Sequence, residues 1–274
     1  MTTPRAFLAL STIAFLSTVH ADSRSDEQFF SEEGRELYIA RKYEAAIAAY
    51  EKLIAINPQS WDGNYLIAVS CLALYHPGAD DPQDMEYVEK GIAAFERTLK
   101  LTPPSPEAKE KTEKYYLAFL DVIGDKDKAI AYLEEQLEQR PNELALINQI
   151  ATLYQKQGDF EKSLEYFEKR ANMEPNSREA WYTLGVNCWA RSYHGGVTVG
   201  QEERERVVDR GIVAFEKALA VDPDYFDALA YMNLIYREKA KALAAVGLNI
   251  DAEEAFAKAD EYKQRAIEIR QARP

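Results

Sequence analysis

The side chains with the most chemistry to offer are two histidines. His76 follows Tyr75 and precedes Asp80, Asp81 and Asp84, while His194 follows Tyr193 and precedes Gly195 and Gly196. An imidazole beside carboxylates can relay protons near neutral pH, and with acids it can hold a metal. Each reading needs partners that the sequence does not supply. No serine or cysteine stands in a nucleophile setting, no HExxH or CxxC occurs, and Gly195-Gly196 lacks the strand and helix of a phosphate cradle. Asp80, Asp81, Asp84 and Glu86 miss the spacing of a twelve-residue calcium loop. The expectation is therefore no catalytic residue, no metal site and no cofactor, with both histidines capping loops.

Composition narrows the partners. The 274 residues carry 33 Lys and Arg against 46 Asp and Glu, a net charge of −13. Such a surface repels phosphate backbones and anionic lipid, which excludes a basic nucleic-acid groove. Aromatics make up 11% of the chain, with 17 tyrosines, and exclude a disordered acidic tail. At the start, Arg5 precedes an apolar run from Ala6 to Val19, and Val19-His20-Ala21 has the small-residue pattern of a signal-peptidase site. A helix of that length reaches about 21 Å, short of the ~30 Å of a bilayer core. Residues 1–21 are thus expected to be a cleavable signal peptide, with the mature chain periplasmic or secreted and without membrane insertion.

The elements that must position any site are helices. From Leu144, the residues Ile147, Ala151 and Tyr154 recur at helical spacing, and Gly158-Asp159 stops the run. A second amphipathic stretch places Ser163, Leu164, Phe167 and Ala171 on one stripe before Pro175. A hairpin so short cannot bury its own apolar faces, so it must recur. It does: a small residue, a large one four later and a proline eight after that appear at Ala46/Tyr50/Pro58, Gly91/Phe95/Pro103, Ala129/Leu133/Pro141, Ser163/Phe167/Pro175 and Gly211/Phe215/Pro223. The small side chain lets two helices approach, the large one fills the gap beside it, and the proline ends the helix. Pro58–Pro103 and Pro175–Pro223 are longer than the rest, which predicts enlarged loops at 75–87 and 192–206. Both follow similar segments, VSCLALYH and VNCWARSYH.

These residues resemble the tetratricopeptide repeat family. Trp181, Leu184, Gly185, Phe215, Ala218 and Pro223 fit its pattern in one unit, and Gly34, Ala46, Tyr50 and Pro58 in another. Leu117 and Asn233 depart from it, standing where a small residue is expected, and Leu117 predicts shifted packing there. The resemblance implies an all-α fold, a right-handed superhelical solenoid of about six helix-turn-helix repeats. Approximate bounds are 27–60, 61–105, 107–143, 144–177, 178–225 and 226–270, in a single domain over 22–274. Cys71 and Cys188 fall at equivalent positions three repeats apart, too far for a disulfide, and are expected to be buried thiols.

The resemblance also implies a non-enzymatic scaffold or adaptor, holding a peptide or protein partner on a concave surface lined by first helices. Carrying the family's groove positions onto this chain selects Arg35, Tyr38, Tyr65, Lys114, Asn148, Gln155, Tyr182, Trp189 and Arg237, with Asp62 and Thr152 beside them. Tyrosine and tryptophan can both stack and hydrogen-bond at little entropic cost, which suits an extended peptide or a partner helix. The asparagine pair of a carboxylate clamp is missing, so the partner is left open. The setting expected from the signal is a bacterial envelope, and an alternative ligand is an envelope glycan stacked on tyrosines.

Overall fold

The computed structural model of the chain describes residues 10–78 and 81–272, with side chains from residue 24 onward except at position 197. Of the expected signal peptide at 1–21, residues 1–9 lie outside the described residues and only the backbone of 10–21 is described. The chain divides into two compact units, Met1–Asp125 and Lys126–Pro274. Both are built only of helices among the described residues.

The first unit contains α1 (Leu10–Ile39), α2 (Tyr43–Ile56), α3 (Trp61–Leu74), α4 (Pro82–Lys100) and α5 (Pro106–Ile123). The second contains α6 (Lys126–Gln139), α7 (Leu144–Gln157), α8 (Phe160–Met173), α9 (Arg178–His194), α10 (Gln201–Val221), α11 (Phe226–Ala245) and α12 (Asn249–Ala272). Within each unit every helix packs on the next, and α3 also meets α1 and α5, as α9 meets α11. The boundaries are written in the sequence. Ser60, Ser105, Asp159 and Ser177 accept from backbone N–H groups of the first turn they cap. Gly124, Gly158 and Gly247 take the left-handed conformation at the ends of their helices or just beyond, at φ 77°, 93° and 81°. In the first hairpin Arg41 does the same at φ 58° without being a glycine.

The repeated large residues are the core. Tyr50, Phe95, Leu133, Phe167 and Phe215 are all buried. The small residues opposite them are obligatory: a Cβ on Gly34 would stand 2.7 Å from the Tyr50 ring, and one on Gly185 would stand 2.5 Å from the Phe215 ring. No helix of the described residues is long and apolar enough to cross a membrane.

Two expectations of length are corrected. The enlarged loop expected at 192–206 is mostly helix, and the one expected at 75–87 is helix from Pro82 onward. Asp81 caps α4 with Pro82 in its first turn, where a missing N–H costs nothing, so α4 grows to 19 residues. Likewise α9 runs to 17 residues and α10, opened by the strong helix formers Gln-Glu-Glu-Arg, to 21. The short connection between them holds a 3-10 turn at Gly196–Thr198. Arg204 clamps it by donating to the carbonyls of Ser192 and Gly196. Around Leu117, the extra residues of the third repeat add a turn to α5, which has 18 residues.

Candidate partner-binding faces

In the second unit the first helices of successive repeats, α7, α9 and α11, carry the selected residues. Gln155 on α7 donates through Nε2 to Asn187 Oδ1 on α9 at 2.9 Å. Asn148 accepts from Arg170 at 3.0 Å, which ties α7 to α8 and leaves Asn148 half-buried. On α9, Tyr182 and Trp189 lie on one side, two turns apart, and both meet Tyr231 of α11 edge to face. The Tyr182–Tyr231 centroids are 5.5 Å apart at 86°, and Trp189–Tyr231 are 5.2 Å apart at 88°. Tyr225 adds a fourth ring, 5.3 Å from Tyr182. Trp189 also stacks on Tyr193 at 5.0 Å and 15°, and Tyr193 is exposed. These rings bury only part of each other, leaving Tyr182, Trp189 and Tyr231 half-exposed. Burial above all, then the neighbouring Tyr231 and Asp227, pushes the Tyr182 phenol up. Arg237, the selected cation of α11, is tied to Asn233 and to Asp260 at 2.7 Å.

The first unit is different. Tyr65 is buried, stacked on Trp61 at 4.7 Å and 16° and meeting Tyr115 edge to face at 6.5 Å. It is a wall of the core rather than a presented ring. Lys111 stands 5.8 Å from the Tyr65 and Tyr115 centroids, and Lys114 is exposed one turn on. Tyr38 is half-buried against Tyr43, and Arg35 is exposed at a cleft shared with Glu27, Glu32 and Asp62. The residues brought together are thus Gln155, Tyr182 and Trp189 in one unit. Asn187 and Tyr231, which the family positions passed over, join them. Tyr231 was detectable only as a further aromatic on the sixth first helix.

The groups with catalytic potential take structural places. The His76 backbone N–H and ring Nδ1 lie 3.1 and 3.4 Å from Asp84 Oδ1, while the ring points to solvent and Asp84 is buried. The group that caps this turn is the Asp84 carboxylate, which accepts from the His76 backbone, rather than the imidazole expected to do so. His194 instead packs its ring edge-on against Tyr193 and Trp189. Cys71 and Cys188 are free and buried, and burial pushes both thiols up to about 12. Among the described residues no group of three potential ligands could hold a metal ion.

Comparison with known proteins agrees with this architecture. Family models for the tetratricopeptide repeat match residues 31–74 and 144–177. A stretch of 71 residues is 33% identical to the general transcriptional corepressor trfA of Dictyostelium discoideum, covering 26% of this chain and 5% of that protein. The chain thus spans a small fraction of the length of that relative. A stretch of 150 residues is 23% identical to the photosystem I assembly protein Ycf3 of Acaryochloris marina, covering 53% of this chain and 90% of that one. Among solved structures, a TPR-repeats protein from Bacteroides fragilis aligns over 78% of this chain and 98% of its own at 14% identity, with a TM-score of 0.49. Family-model matches to the tetratricopeptide repeat thus fall in each of the two units of this all-helical fold.

Proposed function

We propose that the chain is a non-enzymatic adaptor that captures a peptide or protein partner on the first-helix face of its second unit, centred on Tyr182, Trp189 and Tyr231. The observation that carries this is the set of half-exposed rings meeting edge to face beside the Gln155–Asn187 amide pair. Rigid rings give contact area at little entropic cost, and the amides supply donors and acceptors for a backbone. The test is capture of partners from native extract by immobilised protein. Trp189→Ala is expected to reduce partner yield severalfold while leaving the helical circular dichroism unchanged. Undiminished capture by a folded Trp189→Ala protein sinks the assignment.

The proposed setting is the bacterial envelope, supported by the Arg5-led apolar run and the Val19-His20-Ala21 pattern. Intact-mass measurement of protein recovered from an expressing bacterium is expected to begin at Asp22. A mass retaining residues 1–21 rejects export by this route.

A further inference from the structure

Each of the first five repeats has a large side chain of its second helix under cover: Tyr50, Phe95, Leu133, Phe167 and Phe215 are no more than 7% exposed. In α12 the same register, counted from the turn glycines Gly124, Gly158 and Gly247, falls on Phe256. Phe256 is 40% exposed, where the other five are no more than 7%. It belongs to a stripe spaced alternately three and four residues apart: Glu253, Phe256, Asp260, Lys263, Ile267 and Arg270. All six are exposed, and they lie beside the buried stripe of Ala252, Ala255, Ala259 and Ala266 that α12 turns to its own unit. Three-four spacing is that of a seam between two helices.

The order along this seam is acid, apolar, acid, base, apolar, base. Read backwards, it puts a complement opposite every member. An antiparallel copy of α12 sets Glu253 against Arg270, Phe256 against Ile267 and Asp260 against Lys263, each contact occurring twice about a two-fold axis. Parallel pairing would set like against like throughout. Glu253, Lys263 and Arg270 have no ion pair among the described residues, and Asp260, bound to Arg237 at 2.7 Å, keeps most of its surface open. We propose that this face docks a second copy of the chain, giving a two-fold dimer joined by antiparallel α12 helices. The seam from Glu253 to Arg270 is about 26 Å long. An isologous contact closes on itself, so the mixed charges limit assembly to a pair.

Sedimentation velocity on the full chain from about 1 to 200 μM tests this, a range that brackets modest two-helix affinities. The parent is expected to pass from monomer to dimer within it. Lys263→Asp sets acid against acid at both central contacts, and Asp260→Lys sets base against base. Each alone should weaken self-association by about tenfold or more. Mixed in equal amounts, the two variants should dimerise with each other about as well as the parent does, because each supplies the charge the other lacks. Glu253→Arg and Arg270→Glu, remote from Arg237, should repeat the pattern and guard against a folding defect in Asp260→Lys. A parent that stays monomeric, a dimer that no reversal weakens, or folded complementary variants that fail to pair would each overturn the proposal.

Discussion

At the scale of single residues, one glutamate position explains two features that look unrelated. The residue after each buried large side chain is Glu51, Glu96, Glu134, Glu168 or Glu216. In two repeats the next first helix offers a tyrosine twenty positions on whose hydroxyl the glutamate accepts: Tyr116 donates to Glu96 at 3.3 Å and Tyr154 to Glu134 at 2.9 Å. Where that tyrosine is replaced by Cys71 or Cys188, a cation from the following second helix crosses the space. Lys90 reaches Glu51 at 2.8 Å and Arg210 reaches Glu168 at 2.6 Å. Each cation sits beside a glycine, Gly91 or Gly211, where a Cβ would come within 2.9 or 2.8 Å of the cysteine Cβ. The cysteines are thus part of a packing exchange. Glu134 also accepts from Tyr166 at 2.8 Å, so one carboxylate oxygen serves two phenols. Glu134→Ala is expected to cost about 1–2 kcal/mol in urea denaturation, since it strands two partly buried donors. Burial first, then Glu134, raises the Tyr154 phenol to about 12. A raised folded-state pKa contributes stability that is complete below the ordinary phenol value of 10.0 and is lost as pH climbs through about 12. In the variant, ultraviolet titration should find this tyrosine ionising earlier, and an unchanged titration would show that burial acts alone.

At the scale of elements, the hairpins themselves were legible from small-large-proline spacing and turn glycines. Periodicity reports which face is buried whatever covers it. Helix lengths were less legible. Asp81-Pro82 read as turn residues, yet the same pair is an ideal cap and first turn, and only the packing of α4 on α3 decides between them. The candidate site was legible in part for a similar reason. Family positions found Tyr182 and Trp189, but burial of Tyr65 depends on Tyr115 from a neighbouring helix whose register an added turn had shifted. The first hairpin turns at Arg41, where the chain departs from the glycine used at Gly124, Gly158 and Gly247. An exposed arginine at φ 58° bears a left-handed strain of about 1 kcal/mol that glycine would not. Arg41→Gly is therefore expected to raise stability by about 0.5–1 kcal/mol, less the extra entropy of the unfolded glycine. A lower midpoint in thermal or urea unfolding would show that Arg41 makes compensating contacts.

At the scale of the whole molecule, stability is assembled from neighbours. Within each unit the packed helix pairs are adjacent in the chain or one helix apart, with no long-range closure of one end on another. In such an array a lesion should be felt by the repeats that touch it and fade beyond them. Phe215 is the sharpest probe. It is fully buried, meets Tyr182 and Tyr231, and faces Gly185 so closely that no Cβ fits between them. Phe215→Ala opens a cavity there and is expected to cost about 3–5 kcal/mol. Native-state hydrogen exchange is the measurement that separates local from global loss. Amides of α9, α10 and α11 should lose protection by a comparable free energy, while those of α2 and α3 in the first unit keep theirs. The same variant should lose partner capture, because Tyr182 and Tyr231 rest on the ring removed. Protection that falls equally in α2 and α10 would mean that the chain unfolds as one cooperative body, and the neighbour-by-neighbour account of its stability would be wrong.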